Sequence, residues 1–155
     1  MVQISKEQRG DTLLVKMTGT VEENVDFAAL MGNVSSAKVD LLLKGVNRIN
    51  SVGIKAWIKY FQSLAAKGVQ LRFIECSTAI VEQINLISNF TCGGTVESIY
   101  VPFCCNSCST ELLGLFRASD LKKINFQIPD LKCAKCGGTA SFDDIPEEYF
   151  GFLNR

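Results

Sequence analysis

Seven cysteines and no histidine define the chemistry open to this chain. Cys105-x-x-Cys108 and Cys133-x-x-Cys136 form two C-x-x-C pairs, separated by 24 residues. A C-x-x-C turn lets two thiolates face one cation while its backbone amides hydrogen-bond to sulfur. Two such turns facing each other make a closed tetrahedral site, which suits one structural Zn²⁺. Iron held by the same four thiolates is a secondary reading, and buried or disulfide-bonded cysteines are the bland one. Gly137 and Gly138 favour the metal, because glycine takes the sharp positive-φ path that follows the second cysteine of such a turn. Cys104 is an alternative to Cys105 as ligand, but the i, i+3 spacing selects Cys105. Cys76 and Cys92 stand alone and read as small core residues.

The same composition narrows the function. Without histidine the chain lacks the usual general base near neutral pH, and a Cys–His nucleophile pair is impossible. Four cysteines fill a zinc shell and leave no position for water or substrate. No glycine-rich phosphate loop is present, so the expectation is a protein that is not an enzyme. Lys+Arg is 16 and Asp+Glu is 16, and residues 104–155 carry 6 against 7. Phosphate contacts need a positive surface, so this balance argues against nucleic acid. No apolar stretch is long enough for a membrane span, and the first residues show no signal-peptide pattern. The expected location is the cytoplasm, where thiols stay reduced and clustered cysteines favour metal over disulfides.

The elements that must position these residues follow from hydrophobic periodicity. Residues 12–21 alternate apolar and polar and predict a strand, with an edge strand over 2–5. Residues 24–34 predict a helix with Asn24 or Asp26 near its cap. Residues 38–46 hold an apolar run broken by Asp40, which predicts a strand covered on both faces. Ile54, Trp57, Ile58, Phe61 and Leu64 form one face of a helix that Gly68 ends. A strand over 69–75, a helix over 77–90 opened by Ser77 and a strand over 94–101 complete the pattern. The alternation implies an α/β fold, a mostly parallel sheet with helices packed on it. Pro102 marks the predicted boundary between residues 1–101 and a small cysteine-bearing domain, 102–155. There the stretches TELLGLF and KKINFQI suggest a hairpin between the two cysteine pairs. Asp143 and Asp144 precede Pro146, a good start for a short helix. Phe142, Tyr149, Phe150, Phe152 and Leu153 read as packing the ribbon onto the first domain, with a docking surface as the sharper alternative.

A second place with chemical potential is Asn50-Ser51-Val52-Gly53-Ile54, where a strand hands over to the long helix. Either Asn50 or Ser51 suits the N-cap. An exposed Ser51 there would be a favourable place for a phosphate, because the helix dipole and free N–H groups attract anions.

The stretches GTVEENVDF, VDLLLKGVNRINSVGI, AAKGVQLRF and STAIVEQINLI together resemble a STAS domain. This is the fold of bacterial anti-sigma-factor antagonists and of the cytoplasmic tails of sulfate transporters. The resemblance covers residues 1 to about 101. The family pattern at the turn is Asp-Ser-x-Gly, with the serine phosphorylated by an anti-sigma kinase. Ser51 and Gly53 match it, and Asn50 stands where the aspartate would be. The remaining third is similar to a zinc ribbon, and NSVGIKAW with FDDIPEEYFGFL looks like a bacterial group of STAS proteins bearing such a ribbon. The resemblance implies a regulatory module that binds protein partners through Asn50, Ser51, Val52, Gly53 and Ile54. An anti-sigma-like kinase is the implied partner class, with phosphorylation of Ser51 tuning affinity. Set against this is a constitutive scaffold or homo-oligomer in which Ser51 is only a cap.

Overall fold

The computed structural model describes residues 1–154. A first sheet of five strands has the order β1-β2-β3-β4-β5. Its strands are β1 (Gln3–Arg9), β2 (Thr12–Val21), β3 (Lys38–Ile49), β4 (Gln70–Ile74) and β5 (Thr95–Val96). β1 and β2 form an antiparallel hairpin, and β2 to β5 run parallel. The expected α/β character with a mostly parallel sheet is therefore present.

Register explains where the core sits. Leu13 pairs with Val39 and Val39 with Leu71; Val15 pairs with Leu41 and Leu41 with Phe73. All six are buried on one face, which alternation along each strand dictates. Three helices follow β2, β3 and β4: α1 (Phe27–Met31), α2 (Ser51–Ala66) and α3 (Thr78–Leu86). Trp57 and Phe61 of α2 meet Phe27 of α1, Phe73 and Phe90 in one aromatic cluster. The indole N–H of Trp57 donates to the Phe90 carbonyl at 3.2 Å, so the buried ring leaves no orphan donor.

The opposite face of β3 differs from the sequence expectation. It is not covered by an apolar layer. Asp40 lies directly beside Arg72 on β4, and the guanidinium grips both carboxylate oxygens at 2.8 Å. A charge inside an apolar run is tolerable when a neighbouring strand supplies a bidentate partner.

Helix ends are set by local chemistry. α1 is shorter than expected: Asp26 accepts the Ala29 amide at its start, and Gly32 at φ 65° stops it. α2 ends in a Schellman turn. The Gly68 amide reaches the Ala65 carbonyl and the Val69 amide reaches Leu64, with Gly68 at φ 87°.

A second sheet has the order β7-β6-β9-β8. It comprises β6 (Ser98–Cys105), β7 (Glu111–Arg117), β8 (Leu131–Lys132) and β9 (Thr139–Phe142). Two expectations change here. The strand predicted over 94–101 splits into β5, in the first sheet, and β6, which belongs to the second sheet and runs on through Pro102. Pro102 is tolerated because it stands opposite Leu113 at a position whose missing N–H points away from β7. The stretch KKINFQI is not a strand. α4 (Ala118–Lys123) takes its first residues, with Asp120 in the first turn and Lys122 and Lys123 in the last, as the helix dipole favours. Asn125 and Phe126 then turn at positive φ, and Phe126 stacks on Phe150. β7 pairs with β6 instead.

The C-terminal aromatics are packed inward. α5 (Pro146–Tyr149) starts with Pro146 in its first turn, and a 3₁₀ turn (Gly151–Asn154) follows. Tyr149 and Phe150 are buried. Asn85 of α3 donates to the Tyr149 carbonyl and accepts the Phe152 amide, tying the tail to the first sheet's helix. One buried apolar cluster runs from Val2 to Phe150 across both sheets.

Candidate metal centre

Cys105 ends β6 and begins a tight turn; Cys133 follows β8 and begins another. The two turns share one backbone pattern. The Cys105 amide donates to the Thr110 carbonyl and the Ser109 amide to the Cys105 carbonyl. Likewise the Cys133 amide donates to the Gly138 carbonyl and the Gly137 amide to the Cys133 carbonyl. Each pattern needs positive φ at the residue after the second cysteine: 60° at Ser109 and 78° at Gly137. At Gly138 a Cβ would lie 2.7 Å from the Ser107 hydroxyl oxygen, so a larger residue there would displace the Ser107 side chain of the facing turn.

These turns bring the four expected sulfurs together. The Sγ atoms of Cys105, Cys108, Cys133 and Cys136 all lie within 4.8 Å of one another. Across the turns, Cys105 and Cys136 are 3.5 Å apart, and Cys108 and Cys133 are 3.7 Å apart. Four sulfurs about 2.3 Å from a central ion would form a tetrahedron with edges of about 3.8 Å. A disulfide would need about 2.0 Å, and all seven cysteines are free thiols. The donor set therefore fits a single thiolate-bound metal ion.

Backbone amides prepare the sulfurs for charge. Those of Ser107 and Cys108 point at Cys105 Sγ at 3.4 and 3.5 Å, and that of Gly138 points at Cys136 Sγ at 3.4 Å. The Thr110 hydroxyl lies 3.0 Å from Cys108 Sγ. Thr110 is the main reason that the Cys108 thiol is lowered to about 6. Cys105 is lowered too, first by the Cys108 amide and then by that of Ser107. At Cys136 the Gly138 amide pulls downward. Hydrogen bonds with the Cys105 and Cys108 sulfurs outweigh it and push the thiol up to about 12. Four crowded sulfurs cannot all ionise without a cation among them.

Burial is asymmetric. Cys105 and Cys133 belong to the apolar core, whereas Cys108 and Cys136 are exposed. The centre thus joins the fold at one side and faces solvent at the other. Cys104 points elsewhere, toward the Cys105 carbonyl at 3.8 Å, and its thiol is raised by burial and then by Asp143 and Glu111. Cys76 is fully buried, and burial pushes its thiol up to about 12. Cys92 is half-buried.

At the other predicted site, Asn50 is the N-cap of α2. Its side-chain oxygen accepts the Gly53 amide at 2.8 Å. Ser51 is exposed in the first turn, and Val52 beside it is 49% exposed. Gly53 is buried because the turn lies on β2: a Cβ would be 2.4 Å from the Val21 carbonyl oxygen. Ile54 is partly buried against the core.

Two contributors escaped the sequence reading. Ser109 and Thr110 were not singled out, although aligning CNSCST with CAKCGG places them opposite Gly137 and Gly138. A groove of about 1110 Å³ between α3, β7 and the β9–α5 segment was also missed; its walls include Glu82, Glu111, Asp143, Asp144 and Glu148. These acids come from four separated stretches, and no local pattern unites them. Comparison with described protein families and with curated proteins finds no match to this chain.

Proposed function

We propose that this protein is a non-catalytic regulatory interaction module of STAS type, carrying a zinc ribbon whose Zn²⁺ is structural. The observation that carries the binding role is at the first turn of α2. Asn50 does the capping, so Ser51 is not consumed by it. The Ser51 hydroxyl makes no hydrogen bond among the described residues and stands beside exposed Val52. A polar, modifiable group next to an apolar one, at the positive end of a helix dipole, suits a partner surface under phosphate control. Its cytoplasmic partner would be an anti-sigma-like kinase or another regulatory protein. Phosphate on Ser51 would add negative charge at the centre of that contact and weaken it.

Cys105, Cys108, Cys133 and Cys136 would hold Zn²⁺, and the bound ion would supply cross-linking of the two turns. With four thiolates the shell is closed, which supports a structural role over a catalytic one. Nucleic acid is a poor partner for this surface. The groove beside the second sheet is lined with carboxylates and with no Lys or Arg. The test is to measure affinity for a captured partner with wild type, Ser51→Ala and Ser51→Asp. Wild type and Ser51→Ala should bind alike and Ser51→Asp more weakly. Equal affinity for all three would remove the phosphate switch.

A further inference from the structure

We propose that β7 is a self-pairing edge, through which two copies of this chain join as a symmetric antiparallel dimer centred on Gly114. It gives self-association a specific surface and does not depend on the Ser51 reading.

Sheet edges offer unpaired backbone groups to other chains, and proteins normally blunt them. The other edges here are blunted. β1 carries Lys6, Glu7 and Arg9, and β5 and β8 have two residues each. β7 is different. It is seven residues long, reads ELLGLFR, and ends the second sheet, with β6 as its only neighbour among the described residues. None of its residues is buried, and Leu113 and Leu115 are 60% and 49% exposed.

The direction of its free groups follows from the ladder. The Cys105 amide bonds to Thr110, so even-numbered residues of β7 exchange hydrogen bonds with β6. The N–H and C=O groups of Glu111, Leu113, Leu115 and Arg117 therefore point away from β6, into the open edge.

The strand is complementary to itself in one register. With Gly114 opposite its own copy, Leu113 meets Leu115 and Leu112 meets Phe116. Glu111 meets Arg117 at both ends. The outward-pointing residues face each other, as hydrogen-bonded antiparallel pairs require. A shift of two residues either way sets one of the charges opposite a leucine. A shift of one turns paired backbone groups away from each other. Among the described residues of a single chain, neither Glu111 nor Arg117 makes an ion pair. Opposite charges and apolar pairs placed directly across a ladder stabilise it.

Sedimentation velocity of the whole chain, from micromolar to millimolar concentration, tests this with four variants. Wild type should dimerise. Glu111→Arg and Arg117→Glu should each weaken the dimer about tenfold, since each sets like charges opposite one another at both ends. The double variant Glu111→Arg/Arg117→Glu should restore it. Leu113→Pro should abolish it while circular dichroism stays native, because that N–H serves only the open edge. A wild-type chain that stays monomeric throughout overturns the proposal. So does a dimer that none of the four variants alters. Either result leaves the Ser51 surface untouched.

Discussion

Cys104 and Cys105 are neighbours in sequence, yet only Cys105 turns its sulfur into the four-thiol cluster. Substituting serine separates them in function. Cys105→Ser and Cys136→Ser should each lose the bound metal, whereas Cys104→Ser should keep it, as read by metal content per chain after dialysis. Cys76 gives a second test at this scale. Its thiol ionises near 9 when the chain is unfolded and near 12 when buried in the native state. Between those values the native state holds a proton that the unfolded state has lost. The raised group therefore contributes fully below pH 9, and stability falls as pH rises toward 12. The slope from this one group is about 1.4 kcal/mol per pH unit at most. Urea midpoints at pH 8 and pH 10 should differ less in Cys76→Ala than in wild type. An identical pH dependence would show that Cys76 is not the buried acid described.

At the scale of elements, two glycines are held by different forces. A methyl at Gly53 would strike the Val21 carbonyl, so Gly53→Ala must push α2 off β2. The expected loss is about 2 kcal/mol, an overpacking cost. Gly137→Ala meets no such clash but forces a left-handed residue, at about 1 kcal/mol. Thermal midpoints of the two variants should fall in that order. Both glycines stand out in the sequence, one beside a cap and one after a C-x-x-C pair. The helices α2 and α3 and strand β2 were legible for a similar reason: periodicity and capping residues are local signals. The four-cysteine cluster was legible because each of its C-x-x-C pairs is a local spacing. What escaped were features decided by distant neighbours. Asp40 reads as a flaw in an apolar run until Arg72 is placed beside it by register. KKINFQI has strand-like alternation, but β7 already has its partner in β6, and Phe126 is drawn to Phe150. Pro102 reads as a boundary, but the ladder leaves its nitrogen on a side where no N–H to β7 is needed.

For the molecule as a whole, the core and the four-cysteine cluster are parts of one packing unit. Cys105 and Cys133 lie in the same buried cluster as Trp57 and Phe73, and Asn85 ties the tail to α3. Among the described residues no helix is long and apolar enough to cross a membrane. Although one apolar cluster spans both sheets, the cross-link that a metal would supply lies at the cysteine-bearing end of the second sheet, so chelation should loosen that end and leave the first sheet folded. Hydrogen exchange should rise over β8, β9 and the last residues of β6 and stay low in β2, β3 and α2. Protection should persist at the start of β6, where the Tyr100 amide bonds to Cys76. Uniform loss of protection would mean that the metal holds the entire fold rather than one end of it. The most direct measurement is intact mass of the protein from its native cells, sprayed under native and then denaturing conditions. Zinc held by the four thiolates gives a native mass that exceeds the denatured mass by one zinc ion, with every cysteine reduced. A metal-free native mass, or a denatured mass lowered by paired cysteines, would contradict it.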